Sequence, residues 1–334
     1  MFLPDAIYYE PDSENYELGK MLLNKYKEKN IPMFQIESHN NIPEMRAKEN
    51  KEFPKMKKNL IIGIRKTQKF EINNKTSDFL VPYTSSGCTA MCMYCYLVCN
   101  YNKCAYLRLY VNREELFDKL IKYSFKSEKD LIFEIGSNSD LILENTITGN
   151  LDWTIEKFAK EGKGYITLPT KFSYVDSLLN LDHRGKTIIR MSLNPEEIIN
   201  KIEFGTSRLK DRILAIKKLY KAGYKIGILI APIIFIDNWK MHYEELFRIL
   251  SEELDESLKK EIEFEFIFMT YSYVHKMINP EAFPAATILF DQEKMTGRGR
   301  GKYMYKRELR EEGAKFIGDM MKKYLPTSKI AYIV

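Results

Sequence analysis

Cysteine is scarce in this sequence and confined to one place: five in 334 residues, all between Cys88 and Cys104. That excludes a disulfide framework spread along the chain and points to a cofactor cluster kept in a reducing compartment. Histidine is scarcer still, and His39, His183, His242 and His275 are scattered without ligand spacing. No second Cys-x-x-Cys pair is present to complete a structural zinc site. Long apolar runs are also missing, so no membrane span is expected. The opening Met1-Phe2-Leu3-Pro4-Asp5 carries no basic flank before a hydrophobic stretch, so no secretory leader is expected and the cytoplasm is the expected location. Charge of one sign is in small excess, +6, which permits a nucleic-acid partner without requiring one.

What is present is the composition of a folded globular protein: 45% hydrophobic, 13% aromatic and 29% charged residues. The length suits one barrel-like domain with a small appendage better than two equal domains. The stretch Ser86-Gly87-Cys88-Thr89-Ala90-Met91-Cys92-Met93-Tyr94-Cys95-Tyr96 organises the rest. Cys88, Cys92 and Cys95 are separated by three and then two residues. A four-iron cluster normally takes four thiolates, so three on one short loop leave one iron open. With this spacing the expected occupant of that iron is S-adenosylmethionine, whose sulfonium bond one electron from the cluster breaks to give a radical. The competing readings are a zinc site completed by Cys99 or Cys104 and a group of buried free thiols; the aromatic residues among the cysteines favour the [4Fe-4S] cluster.

Residues 1–75 read as a small α/β unit: strands over 6–9 and 33–36, a helix over 16–28 from the spacing of Leu18, Met21, Leu22 and Tyr26, a charged link over 44–58, and a buried strand at 59–64. Over 76–334 strands alternate with helices. The strands are expected at 79–83, 131–135, 165–168, 187–193, 226–231 and 262–269. The helices are expected at 113–125 with Asn112 as cap, then at 152–161, 174–179, 208–222 and 239–254. Six such units predict an α/β fold, a partial (β/α)6 TIM-type barrel with its chemistry at the carboxyl ends of the strands. The cysteine loop follows the first strand, as that rule requires. The rule also nominates Ser137, Ser139 and Asp140 after the second strand, Lys171 after the third, and Ser192 and Asn194 at the fourth, although a Ser-Asn-Ser-Asp stretch also reads as a simple turn. Near the C-terminus Arg298, Arg300 and Lys302 sit on a glycine-punctuated basic β-hairpin with Tyr303 and Tyr305, suited to phosphates and bases or, more plainly, a solvated tip with its tyrosines in the core. A helix at 308–324 and a strand at 330–333 close the chain.

The sequence resembles the spore photoproduct lyase family, radical S-adenosylmethionine enzymes that repair a thymine dimer in spore DNA. The resemblance runs nearly end to end through blocks in family order, among them Tyr9-Glu10-Pro11, Ile62-Gly63-Ile64-Arg65-Lys66-Thr67, Ser86-Gly87-Cys88, Tyr94-Cys95-Tyr96-Leu97, Thr170-Lys171-Phe172, Ala231-Pro232-Ile233 and Gly301-Lys302-Tyr303. It implies the radical SAM fold class, Cys88, Cys92 and Cys95 as cluster ligands, Ser139, Asp140, Lys171 and Ser192 at the S-adenosylmethionine site together with Tyr96, and Tyr94 and Tyr96 as a hydrogen-transfer relay. It implies lesion DNA as substrate, a hairpin around Arg298 to Lys302 that helps extrude the dimer, and a flavodoxin- or ferredoxin-type electron donor. Two departures stand out. Ser137 occupies the position where many members carry the cysteine that returns hydrogen, leaving Tyr94, Tyr96 or Cys99 for that task, and Phe268-Met269-Thr270 replaces more polar residues near the substrate. A radical enzyme of the same fold acting on another substrate is the competing expectation, and a non-catalytic cysteine-cluster protein binding nucleic acid is a third.

Overall fold

The computed structural model describes residues 2–334, and its centre is a curled sheet of seven parallel strands. In spatial order they are Phe79–Leu80, Ile132–Glu134, Tyr165–Thr170, Thr187–Leu193, Lys225–Ile233, Glu263–Phe268 and Lys329–Ile333, with Glu71–Ile72 pairing antiparallel at the first edge. Each of the first six lies beside its successor in sequence, and the seventh, at the C-terminus, extends the sheet past the six expected units. Sequential parallel neighbours need a crossover each time, and helices supply most of them. Strand Thr187–Leu193 is buried at six of its seven positions, the signature of a parallel strand covered on both faces. This is the expected partial barrel.

The outer helices form on apolar stripes. In Arg113–Ser124, Leu116, Phe117 and Leu120 face the core, while Glu114 and Glu115 lie in the first turn and Lys122 in the last, each favoured by the helix dipole. Asn112 stands at the cap position, yet its side chain is taken by Arg65, accepting from the backbone N–H and donating to the carbonyl at 3.0 Å each.

A second sheet carries the N-terminal unit, in the order Met33–Gln35, Ala6–Tyr9, Asn59–Gly63, Leu107–Tyr110, Ser85–Ser86. The strand Leu107–Tyr110 follows the cysteine loop, so that loop leaves the barrel at Leu80 and returns into the other sheet. The charged link folds into short turns, Pro43–Ala47, Asn50–Glu52 and Phe53–Met56, the two α-helical ones with proline at the start, where its missing N–H is harmless.

Some local expectations were displaced. The helix predicted over 174–179 is one 3-10 turn, Asp176–Leu178, because Ser173 bonds Ser207 Oγ through both its N–H and its hydroxyl and draws the chain away from helical pairing. The first barrel strand stops at Leu80, and Pro82 beyond it has no N–H for the ladder. The helices Leu141–Thr148, Glu196–Ile202 and Tyr273–Ala282 were not anticipated. Among the described residues no helix is long and apolar enough to cross a membrane.

Candidate active site

Each cysteine of the triplet is held by a different part of the chain. Gly87 has φ +75°, and a Cβ there would lie 1.9 Å from Tyr106 O, so only glycine fits. Its N–H donates to Asn138 O at 2.8 Å, tying the cysteine loop to the 136–140 loop, and Cys88 N–H donates to Ala105 O at 3.3 Å. Cys92 lies in a two-residue strand paired antiparallel with Glu203–Phe204, opposite Glu203 itself. Cys95 precedes the helix Tyr96–Tyr101, and its carbonyl accepts from His275 Nε2–H at 2.9 Å. His275 Nδ1 in turn accepts from Ser272 Oγ at 2.8 Å, and Cys99 Sγ–H donates to that same hydroxyl at 3.2 Å.

The three cysteines line one cavity of about 820 Å³ together with Tyr94, Tyr96, Ser137, Ser139, Asp140, Lys171 and Ser192, whereas Cys99 and Cys104 do not line it. Residues at the ends of four separate strands therefore converge as the barrel rule predicts. Among the described residues no group of three His, Cys, Asp or Glu side chains converges on a single metal position, and an iron-sulfur cube would instead take one thiolate at each of three corners. Burial pushes the Cys88 thiol up to about 12 and raises that of Cys92 as well, so a thiolate at either position would need a cation against it.

On the cavity wall the hydroxyl of Ser139 is buried without a hydrogen-bond partner, which is costly unless a ligand satisfies it. Lys171 Nζ donates to Ser192 Oγ and to Ala231 O at 2.9 Å, and pairs with Glu203 at 3.4 Å. Asp140 caps the helix Leu141–Thr148 through Leu143 N–H at 3.3 Å and accepts from Thr170 Oγ1 at 2.8 Å and Lys171 N–H at 2.9 Å. Its oxygens thus fix the turn that carries Lys171. The ammonium, the orphan hydroxyl and the thiolate clip together match the carboxylate, ribose and amino groups expected of S-adenosylmethionine.

Behind Cys92 lies a buried ionic knot that the sequence did not announce. Glu203 is fully enclosed, accepting from Tyr94 OH, from Asn194 Nδ2 at 2.9 Å and from Arg212 Nη2 at 2.7 Å. Burial opposes its charge, yet Lys171 and Arg212, aided by Tyr94 and Asn194, hold its carboxyl down at about 2. One signal was legible: Arg212 sits between Leu209, Ile213 and Ile216 on the apolar face of the helix Leu209–Lys221, where a charge needs a buried partner. Nothing local marked Glu203. A second unannounced group, Arg190 with Glu134 and Glu265, lines another part of the cavity.

Tyr96 is 52% exposed and lines the same cavity, while Tyr94 is buried against Glu203. Thr270, also on the lining, begins the strand Thr270–Ser272 that pairs with Lys302–Tyr305 of the hairpin. Met295–Gly299 completes that three-stranded sheet, and Gly299, Arg300 and Gly301 all turn with positive φ. Arg298, Arg300 and Lys302 are exposed and form no ion pair among the described residues. Tyr303 packs edge-on against Phe290 at 4.7 Å, and Tyr305 is buried, its hydroxyl accepting from Phe235 N–H at 3.2 Å.

A family model described as spore photoproduct lyase matches residues 2–334. Among curated proteins, the spore photoproduct lyase of Bacillus subtilis (strain 168) is 33% identical over 99% of this chain and 98% of its own length, and that of Clostridium acetobutylicum is 29% identical over 98% of both. A solved spore photoproduct lyase complexed with dinucleoside spore photoproduct superposes with a TM-score of 0.92 at 30% identity, covering 100% of this chain and 99% of that one. A doubly substituted form of that enzyme, with bound AdoMet and the same dinucleoside, has the same score, identity and coverage. With its cysteine loop, barrel and hairpin all inside a match that spans every described residue, this chain belongs to the spore photoproduct lyase family.

Proposed function

We propose that this chain is a radical S-adenosylmethionine lyase that returns the spore photoproduct in DNA to two thymines, with tyrosine in the role of hydrogen-returning group. The observation that carries the reading is the convergence of Cys88, Cys92, Cys95, the unsatisfied Ser139 hydroxyl and Lys171 on one cavity whose rim leads into the basic hairpin. Cys88, Cys92 and Cys95 would hold the cluster, and Ser139, Lys171 and Ser192 would receive the carboxylate and ribose of S-adenosylmethionine, on a turn set by Asp140. Bound there, cluster and S-adenosylmethionine would supply radical chemistry able to remove one hydrogen atom from the lesion and so release the bond between the thymines.

The second thymine then needs a hydrogen atom. Ser137 lines the cavity, but an alcohol O–H bond is far stronger than a thiol S–H bond, so serine cannot act in place of cysteine. A phenol yields hydrogen more readily. Tyr96 opens onto the cavity, and Tyr94, also on its lining, donates its hydroxyl to the Glu203 carboxylate. Cys99 is the lesser candidate, its thiol committed to Ser272. Arg298, Arg300 and Lys302 neutralise phosphates and Tyr303 meets the bases, while the poor stacking of the lesion lowers the cost of flipping it out. A low-potential flavodoxin or ferredoxin supplies the electron in a reducing cytosol.

The test is anaerobic incubation of the reconstituted, reduced protein and S-adenosylmethionine with synthetic dinucleotide spore photoproduct. Release of the repaired dinucleotide is expected. Cleavage of S-adenosylmethionine without it refutes the reading and favours a radical enzyme acting on another substrate, which the serine at 137 makes the second choice.

A further inference from the structure

Lys57 lies at the end of the helical turn Phe53–Met56, and its side chain runs inward to leave the residue 2% exposed. Its ammonium donates to Ala105 O at 2.7 Å, and the same oxygen accepts Cys88 N–H at 3.3 Å. The ammonium and the cysteine loop thus share one acceptor. On another side the ammonium stands 5.5 Å from the ring centroid of Phe53. Among the described residues no carboxylate forms an ion pair with it, in contrast to Lys171 and Arg212, which both meet Glu203. A buried cation is costly to leave without a counter-charge. Burial pushes Lys57 below its ordinary value, while the charges of Cys88, Cys95 and Cys92 act the other way, and Lys57 is the main influence opposing burial at Cys88. Lys57 does not line the cavity, so it touches neither S-adenosylmethionine nor substrate.

We propose that Lys57 is a positioning residue whose buried ammonium, anchored on Ala105 O behind Cys88, is the built-in counter-charge of the thiolate-ligated cluster and sets its reduction potential. The inference rests on the cluster assignment above. Reduction adds one electron from a low-potential one-electron carrier and makes the ligated cluster one unit more negative, with no proton or bond exchanged at Lys57. A fixed cation in a low-dielectric setting favours the more negative form and raises the potential. The hydrogen bond to Ala105 O keeps that charge from swinging away and steadies the backbone that receives Cys88.

The experiment is a dye-mediated redox titration of the reconstituted protein without S-adenosylmethionine, read by the electron paramagnetic resonance of the reduced cluster, with iron content measured in parallel. At the potential that holds the wild-type cluster half reduced, Lys57→Met and Lys57→Gln are expected to lower the ratio of reduced to oxidised cluster about tenfold, which is about 59 mV for a one-electron couple. Lys57→Arg, which keeps the charge, is expected to stay within about threefold. Lys57→Gln retains a donor for Ala105 O and so separates charge from hydrogen bonding. An unchanged ratio in either neutral variant with iron intact overturns the proposal. Loss of iron from both neutral variants, with or without loss from the arginine variant, assigns Lys57 to assembly or folding and overturns it too. A wild-type protein that takes up no iron-sulfur cluster instead refutes the cluster assignment itself.

Discussion

Replacing Glu203 by Gln removes the one negative charge in the knot behind Cys92 and leaves its partners in place. Arg212 has no exposed side-chain surface and Lys171 little, so both cations lose a buried counter-charge at once. Breaking a buried ion pair from one side typically costs about 3–5 kcal/mol. The carboxyl itself provides a second route to the magnitude. It is held at about 2 against an ordinary 4.5, and at about 1.4 kcal/mol per unit that difference is roughly 3 kcal/mol of folding free energy. The sign follows from the depressed value: the contribution is fully present above about 4.5 and is lost as pH falls toward 2. Urea unfolding of the wild type and Glu203→Gln, monitored by circular dichroism, is therefore expected to differ by about 3 kcal/mol at pH 7, with the gap closing through the window from 4.5 to 2. Other carboxylates titrate in both proteins and cancel in the difference. A gap below about 1 kcal/mol at pH 7, the ordinary scale of a surface pair, or one that does not narrow in acid, would refute the account of Glu203 as an ionised structural anchor.

Three further outcomes follow from the same geometry. Gly87→Ala would drive a Cβ into Tyr106 O at a backbone φ of +75°, so the purified variant is expected to bind markedly less iron than the wild type while its far-ultraviolet circular dichroism is retained. Tyr96→Phe is expected to stall after the thymine-thymine bond breaks and to release side products, detectable by chromatography, whereas Cys99→Ala should be mild; a silent Tyr96→Phe would remove that residue from the hydrogen-return pathway. Replacing Arg298, Arg300 and Lys302 together by Gln should weaken binding to duplex DNA and flatten the plot of log affinity against log salt by about 2–3 in slope, and an unchanged slope would place the hairpin away from the phosphates.

Much of the site was legible because its chemistry is carried by spacing. Cys88, Cys92 and Cys95 are near one another by chain length alone, and the nomination of Ser139, Lys171 and Ser192 needed only the alternation of apolar strands with amphipathic helices and the rule that chemistry gathers at strand ends. The positions of those strands were readable for the same reason, since runs such as Thr187–Leu193 must be buried wherever they lie. The structure added what surrounds them. Glu203 meets Tyr94, Cys92 and Lys171 across intervals of up to 111 residues, and no local pattern encodes such a meeting. Arg212 on an apolar helical face was the one visible hint.

What the sequence determined by itself was the thiolate clip, the barrel's alternation and the basic glycine turn, all set by interactions reaching only a few residues along the chain. The tertiary structure decided that Leu107–Tyr110 joins the N-terminal sheet, which threads the cysteine loop between two sheets and sets the Ala105 carbonyl where it accepts from both Cys88 N–H and the Lys57 ammonium. Sheet pairing and buried charge depend on which distant groups share the space left after the chain has collapsed. That is why the three cysteines could be nominated in advance and the charges that surround them could not.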